Sequence, residues 1–249
     1  MSKPGRVTSG VPHLDELLDG GFIEESAILV RGAPGAGKTT FGLQFLLEGV
    51  RRGEPGVFIS FEEFPQSLYR DALSVGWNLA EVEETGGLRM VFTSPQVLLH
   101  SLSTPDSGLL AAIHQSGARR VVLDNLTHFI QLIPDSHDLR RVYHQVISAF
   151  RREGITAMYL GEEMRSDYTN HEKGRVSFIV DCVVLLRYLE IDSAIQRALI
   201  VLKMRSSAHN TTIHSYTIGQ GGLAVGAPLK GKSGLLSGLA HSSMISNVQ

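Results

Sequence analysis

Gly32-Ala33-Pro34-Gly35-Ala36-Gly37-Lys38-Thr39 decides how the rest of this chain is read. The octet satisfies G-x-x-x-x-G-K-[ST], and its context is the one that pattern needs, with an apolar run, Ala27–Arg31, before it and a helix expected over Thr40–Val50 after it. Glycines let such a loop wrap closely so that successive N–H groups point inward at phosphate oxygens, and the start of the following helix adds a favourable dipole. Pro34, Gly35, Ala36, Gly37, Lys38, Thr39 and Thr40 are therefore the candidate phosphate-binding residues. Lys38 is expected to reach the β- and γ-phosphates. Thr39 is expected to give its hydroxyl to Mg²⁺, an ion that takes its few protein ligands from oxygen.

A metal held this way needs an acid from another buried strand. Arg120-Val121-Val122-Leu123-Asp124 has that form, and Asp124 is the second candidate metal ligand. Taken alone, an apolar strand ending in Asp could equally be a turn or a helix cap. Phosphoryl transfer to water also needs a group to orient or deprotonate the water, and Glu62-Glu63 directly follow the apolar run Val57–Phe61. Neighbouring carboxylates can raise one another's pKa and so divide the work. The competing reading makes them a solvated pair capping a helix that begins at Pro65.

Working outward, Leu88–Phe92 and Ala157–Leu160 join the runs above as short apolar segments separated by stretches that can be helical. That alternation predicts an α/β fold with a mostly parallel, buried sheet flanked by helices. The spacing of Leu139, Val142, Tyr143, Val146, Ile147 and Phe150 predicts a helix over Asp138–Arg152, capped by Ser136 and ended by Gly154. Gly76 is expected to close the helix at Pro65. Cys182–Ile191, Ala198–Met204 and Thr211–Ile218 read as antiparallel strands added to the same sheet. Residues 1–225 form one domain in this reading, and the Gly/Ser-rich segment 226–249 forms a tail.

Composition sets limits on function. The chain has 249 residues, 43% hydrophobic and 19% charged, with a formal net charge of -2, so no overall field draws it to nucleic acid. The Arg-Arg pairs at 51–52, 119–120, 140–141 and 151–152 are read as solvated helix faces. No apolar run reaches the roughly 18 residues of a membrane span. Met1–Gly10 lacks a signal-peptide core. The single cysteine, Cys182, reads as a buried apolar residue in a reducing, cytoplasmic compartment. The ten histidines show no zinc-ligand spacing.

These motifs, taken together, resemble the KaiC-like branch of the RecA-fold ATPases over residues 6 to 225. The resemblance rests on Thr8-Ser9-Gly10-Val11 with Leu14-Asp15 and Gly20-Gly21, on the phosphate loop, and on the segment from Glu54 to Gln66 that contains Glu62-Glu63. It rests also on Ala118 to Asp124 and on Lys203-Met204-Arg205 with His209 and Arg197. It implies ATP and Mg²⁺ as ligands, Lys38, Glu62 and Glu63 as catalytic residues, and a homo-oligomeric ring, a hexamer, that signals to protein partners. It further implies that Lys203, Met204 and Arg205, with Arg197 and His209 nearby, bind the nucleotide of an adjacent subunit. Glu162 falls where the fold carries a γ-phosphate sensor, though it could be a plain loop residue. Asn125 and Ser166–Arg175 depart from the family pattern. Two other functions stay open: a nucleotide-binding scaffold or switch with little hydrolysis, and an ATPase of DNA recombination or repair.

Overall fold

The computed structural model describes residues 4–104, 108–162, 176–191, 193–230, 232–233 and 241–242. Strands β1 (Arg6–Val7) and β2 (Phe22–Ile23) flank α1 (Leu14–Leu17) and pair with each other. The body then follows the expected alternation: β3 (Ala27–Gly32), α2 (Lys38–Arg51), β4 (Gly56–Ser60), α3 (Pro65–Ser74) and α4 (Leu79–Glu84). Next come β5 (Leu88–Phe92), α5 (Pro95–Ser103), α6 (Gly108–Gln115), β6 (Arg120–Asp124) and α7 (Thr127–Leu132). Helix α8 (Ser136–Arg152) leads into β7 (Thr156–Glu162). The chain continues through β8 (Cys182–Ile191), β9 (Ala194–Met204), β10 (His214–Gly219) and β11 (Gly222–Pro228). Strand β11 carries the sheet past residue 225, and Lys232–Ser233 pairs with His241–Ser242 beyond it. The rest of the 226–249 segment and the Ser166–Arg175 departure lie outside the described residues.

Nine strands form one sheet in the order β11-β10-β9-β8-β3-β7-β6-β4-β5. The run from β8 through β5 is parallel, and β9, β10 and β11 are added antiparallel. The expected antiparallel addition holds for β9 and β10 but not for β8: Asp181, just before β8, bonds Ala27 at the start of β3, so the two strands begin at the same end and run parallel. Strand β11 was not foreseen. Strand side chains alternate between faces, and here each face has its own core. Ile28, Val30, Phe58, Val122, Met158 and Leu160 pack with α2 on one side. Ala27, Leu29, Val57, Ile59, Val121, Leu123 and Tyr159 pack with α8 on the other. Both sets are buried, which is why these strands read as continuous apolar runs. Helix α2 lies close over the sheet at Gly42, where a Cβ would stand 2.8 Å from Val122 Cγ1.

Helix α8 buries Leu139, Tyr143, Val146, Ile147 and Phe150, the predicted face, at roughly 1.5–3 kcal/mol of transfer free energy for each large apolar side chain. Its cap differs from expectation. Asp135, not Ser136, is the N-cap, because its carboxylate accepts from the His137 and Asp138 N–H groups while Ser136 is already helical. The 119–120 arginine pair is also corrected. Arg120 is 1% exposed, at the start of a strand and not on a solvated helix face. Its Nε donates to Glu54 at 2.7 Å, and its Nη1 donates to the Thr8 and Phe45 carbonyls at 2.8 Å each. Cys182 is buried, with its thiol pushed up to about 12 by desolvation. Among the described residues no helix is long and apolar enough to cross a membrane.

Candidate nucleotide site

Parallel strands β3, β6 and β4 end at one edge of the sheet, and the candidate site residues lie at or just beyond those ends. After β3 the loop turns through Gly35 (φ +76°) and Gly37 (φ +91°), left-handed conformations that favour glycine, and enters α2 at Lys38. Lys38 is 9% exposed. Its Nζ donates to the Gly32 and Ala33 carbonyls at 3.0 and 3.1 Å. Burial lowers its pKa, and the charges of Asp124, Glu162 and Glu62 oppose that shift. Glu162, paired in register with Gly32, thus belongs electrostatically to the loop.

Thr39 Oγ1 donates to Asp124 Oδ2 at 2.8 Å, so the two candidate metal ligands from distant parts of the chain meet directly. Burial pushes the Asp124 carboxyl up to about 6, against the Thr39 hydrogen bond and the Lys38 charge. Two hard oxygen donors at the carboxyl end of the sheet suit a small divalent cation such as Mg²⁺, and a cation there would favour the ionised acid.

Glu62 and Glu63 leave the end of β4, which lies beside β6 with Ser60 opposite Asp124. Their backbone N–H groups donate to Ser60 Oγ at 3.4 and 3.0 Å. The capping reading fails, because the N-cap of α3 is Phe64 and no side chain caps it. The two carboxylates have different surroundings. Glu63 lines a cavity of about 110 Å³ with Thr39, Thr40 and Asp71. Its pKa is raised chiefly by burial, with Asp71 and Glu62 adding to it, so mutual repulsion is the lesser cause. Glu62 points to the start of α7 and the turn before it, where His128 Nε2 and Asn125 Nδ2 approach its Oε2. The sequence reading missed His128; its place four residues after the strand acid was the available signal.

The late-strand residues divide into two groups. Lys203 lies opposite Val183, which lies beside Leu29 near the start of β3, whereas the phosphate loop begins at its far end. Lys203 Nζ donates to the Ser177 and Val180 carbonyls at 2.7 Å each, and Arg205 Nη2 donates to the Phe178 carbonyl. Both cations therefore stand at the edge of the sheet opposite their own loop. Met204 between them is buried in the core. Arg197 does not join them. It faces Tyr188 across the β8–β9 pair at the phosphate-loop edge, its guanidinium 5.7 Å from the Tyr188 ring centroid. A Cβ on Gly35 would lie 3.1 Å from the Tyr188 hydroxyl. At about 3.4 Å per residue, six residues of β9 put Arg197 roughly 20 Å from Lys203. His209 is half-buried, one residue before Asn210, whose N–H bonds the Leu17 carbonyl.

A mostly parallel sheet that delivers a glycine loop into a helix, with an acid strand against the loop's threonine, defines a RecA-like P-loop protein. The family described as "ATPase: KaiC" matches residues 7–230, and the chain belongs to that family. It is 33% identical over 237 residues to UPF0273 protein MK0039 of Methanopyrus kandleri, covering 88% of this chain and 91% of that protein. It is 32% identical over 220 residues to circadian clock protein KaiC3 of Synechocystis sp., covering 86% of this chain but only 44% of that protein. The chain thus spans less than half the length of this clock relative. The crystal structure of KaiC-like protein PH0186 from Pyrococcus horikoshii OT3 superposes with a TM-score of 0.79 at 28% identity. That match covers 90% of this chain and all of the other.

Proposed function

We propose that this chain binds ATP with Mg²⁺ at the phosphate loop and hydrolyses it slowly, within a cytoplasmic homohexameric ring whose nucleotides lie between subunits. Changes in that ring signal to protein partners. The observation that carries this reading is the 2.8 Å contact between Thr39 and Asp124, which joins loop and acid strand beside the end of β4. In this reading Lys38 binds the β- and γ-phosphates, Thr39 and Asp124 hold Mg²⁺, and Glu62 with Glu63 orients and deprotonates the attacking water. The bound ion neutralises phosphate charge. Lys203 and Arg205 stand too far from their own loop to serve it, which supports their acting on a neighbour's nucleotide. Arg197, beside its own loop, serves its own site.

The scaffold alternative has one observation in its favour: Lys203 and Arg205 are both engaged with carbonyls of their own chain and must be released, or keep those bonds, when a neighbour arrives. Two measurements test the proposal. Native mass spectrometry with and without ATP should show a six-subunit species that ATP favours; a monomer under both conditions overturns the ring. Steady-state phosphate release should be measurable and Mg²⁺-dependent; its absence in an ATP-bound hexamer selects the scaffold.

A further inference from the structure

His128 belongs to no motif in this chain, yet it is held beside the carboxylate to which the proposed hydrolysis assigns the water. Its Nε2 lies 3.4 Å from Glu62 Oε2. Asn125 Nδ2 approaches the same oxygen at 3.5 Å. The ring has little freedom of its own. It packs edge-on against Phe61, centroids 6.0 Å apart at 88°, and Phe61 in turn packs edge-on against Phe129 at 5.6 Å. The two side chains differ in exposure, 25% for His128 and 63% for Glu62. A packed, partly buried ring thus faces a more solvated carboxylate.

We infer that His128 is a positioning residue for Glu62: its Nε2–H, with Asn125, anchors one carboxylate oxygen and leaves the other to take the water's proton. An unanchored glutamate must lose side-chain freedom to reach one productive rotamer. An anchor removes part of that cost before substrate binds. Contacts of 3.4–3.5 Å are long, as catalytic contacts often are before substrate binds and tightens them. The donor role requires the tautomer protonated on Nε2. The inference rests on the reading of Glu62 as the water-orienting carboxylate.

Two substitutions separate donation from packing. His128→Phe keeps a ring against Phe61 and removes the donor; His128→Gln removes the ring and keeps an amide N–H near the position of Nε2. Steady-state ATPase assays should show kcat lowered about tenfold in His128→Phe and within about threefold of the parent in His128→Gln, with KM for ATP unchanged in both. The reverse order, or equal losses, makes the residue a packing element and overturns the inference. A third variant, Glu62→Gln, completes a double-mutant cycle. Adding His128→Phe to Glu62→Gln should cost no further rate, because the group being positioned is gone. If Glu62→Gln is slow and His128→Phe slows it tenfold again, the inference fails while the role of Glu62 stands. If Glu62→Gln turns over like the parent, both fail.

Discussion

Thr39 Oγ1 and Asp124 Oδ2, 85 residues apart in the chain, lie 2.8 Å apart. One hydrogen bond thereby ties the start of α2 to the end of β6 and brings together the two proposed Mg²⁺ ligands. It also offsets part of the cost of the site, where burial pushes the Asp124 carboxyl up to about 6.

Asp124→Asn should raise the stability of the ligand-free protein at pH 8. Folding raises this pKa above the unfolded value of 3.8, so the folded state holds the proton more tightly than the unfolded chain. The resulting contribution to stability is complete below about pH 4 and is lost as pH rises through about 6. The amide keeps an acceptor for Thr39 and carries no charge. A gain of about 1–3 kcal/mol is expected at pH 8, from roughly 1.4 kcal/mol per pKa unit, and little gain near pH 4. Urea midpoints at the two pH values measure it. The same variant should lose the Mg²⁺-dependent part of ATP affinity, a part that in the parent weakens as pH falls below about 6.

Glu62→Gln with Glu63→Gln should keep ATP affinity and lower turnover about 10²–10⁴-fold, the range for loss of general-base catalysis. The amides preserve shape but cannot accept the proton of water. Calorimetry with phosphate-release kinetics checks both halves. Parent-like turnover would show that the pair has no part in the chemistry.

Lys38→Ala subunits, lacking the proposed phosphate-binding lysine, and Lys203→Ala/Arg205→Ala subunits, lacking the cations at the opposite edge, should each be inactive. Mixed, they should regain hydrolysis, because some interfaces pair an intact loop with intact cations. Inactivity at every mixing ratio, with co-assembly shown by native mass spectrometry, would make Lys203 and Arg205 purely intrachain residues that hold the Ser177 to Val180 carbonyls.

Arg120→Ala should destabilise the protein by about 3 kcal/mol, since it leaves the Thr8 and Phe45 carbonyls without their donor and Glu54 without its buried partner. Denaturant melts with an unchanged slope would report this directly. A loss under 0.5 kcal/mol would mean that water replaces the guanidinium without penalty.

Local chemistry was legible in the sequence because it is enforced locally. A loop of the form Gly32 to Thr39 needs its glycines wherever it occurs, and strands buried on both faces are apolar throughout, so the loop, the parallel strands, α8 and the pairing of Asp124 with the loop could be read without coordinates. Other outcomes depended on register between strands far apart in sequence. The alignment of β3, β8 and β9 separates Arg197 from Lys203 and Arg205, although six residues of sequence suggest one cluster. Burial of Arg120 follows from α2 crossing β6, and no composition rule distinguishes it from its solvated neighbour Arg119. The meeting of His128 with Glu62 follows from β6 and β4 ending side by side. Side-chain partners of this kind are set by long-range packing, where one residue's neighbours come from several elements at once, and that information exists only in the folded chain.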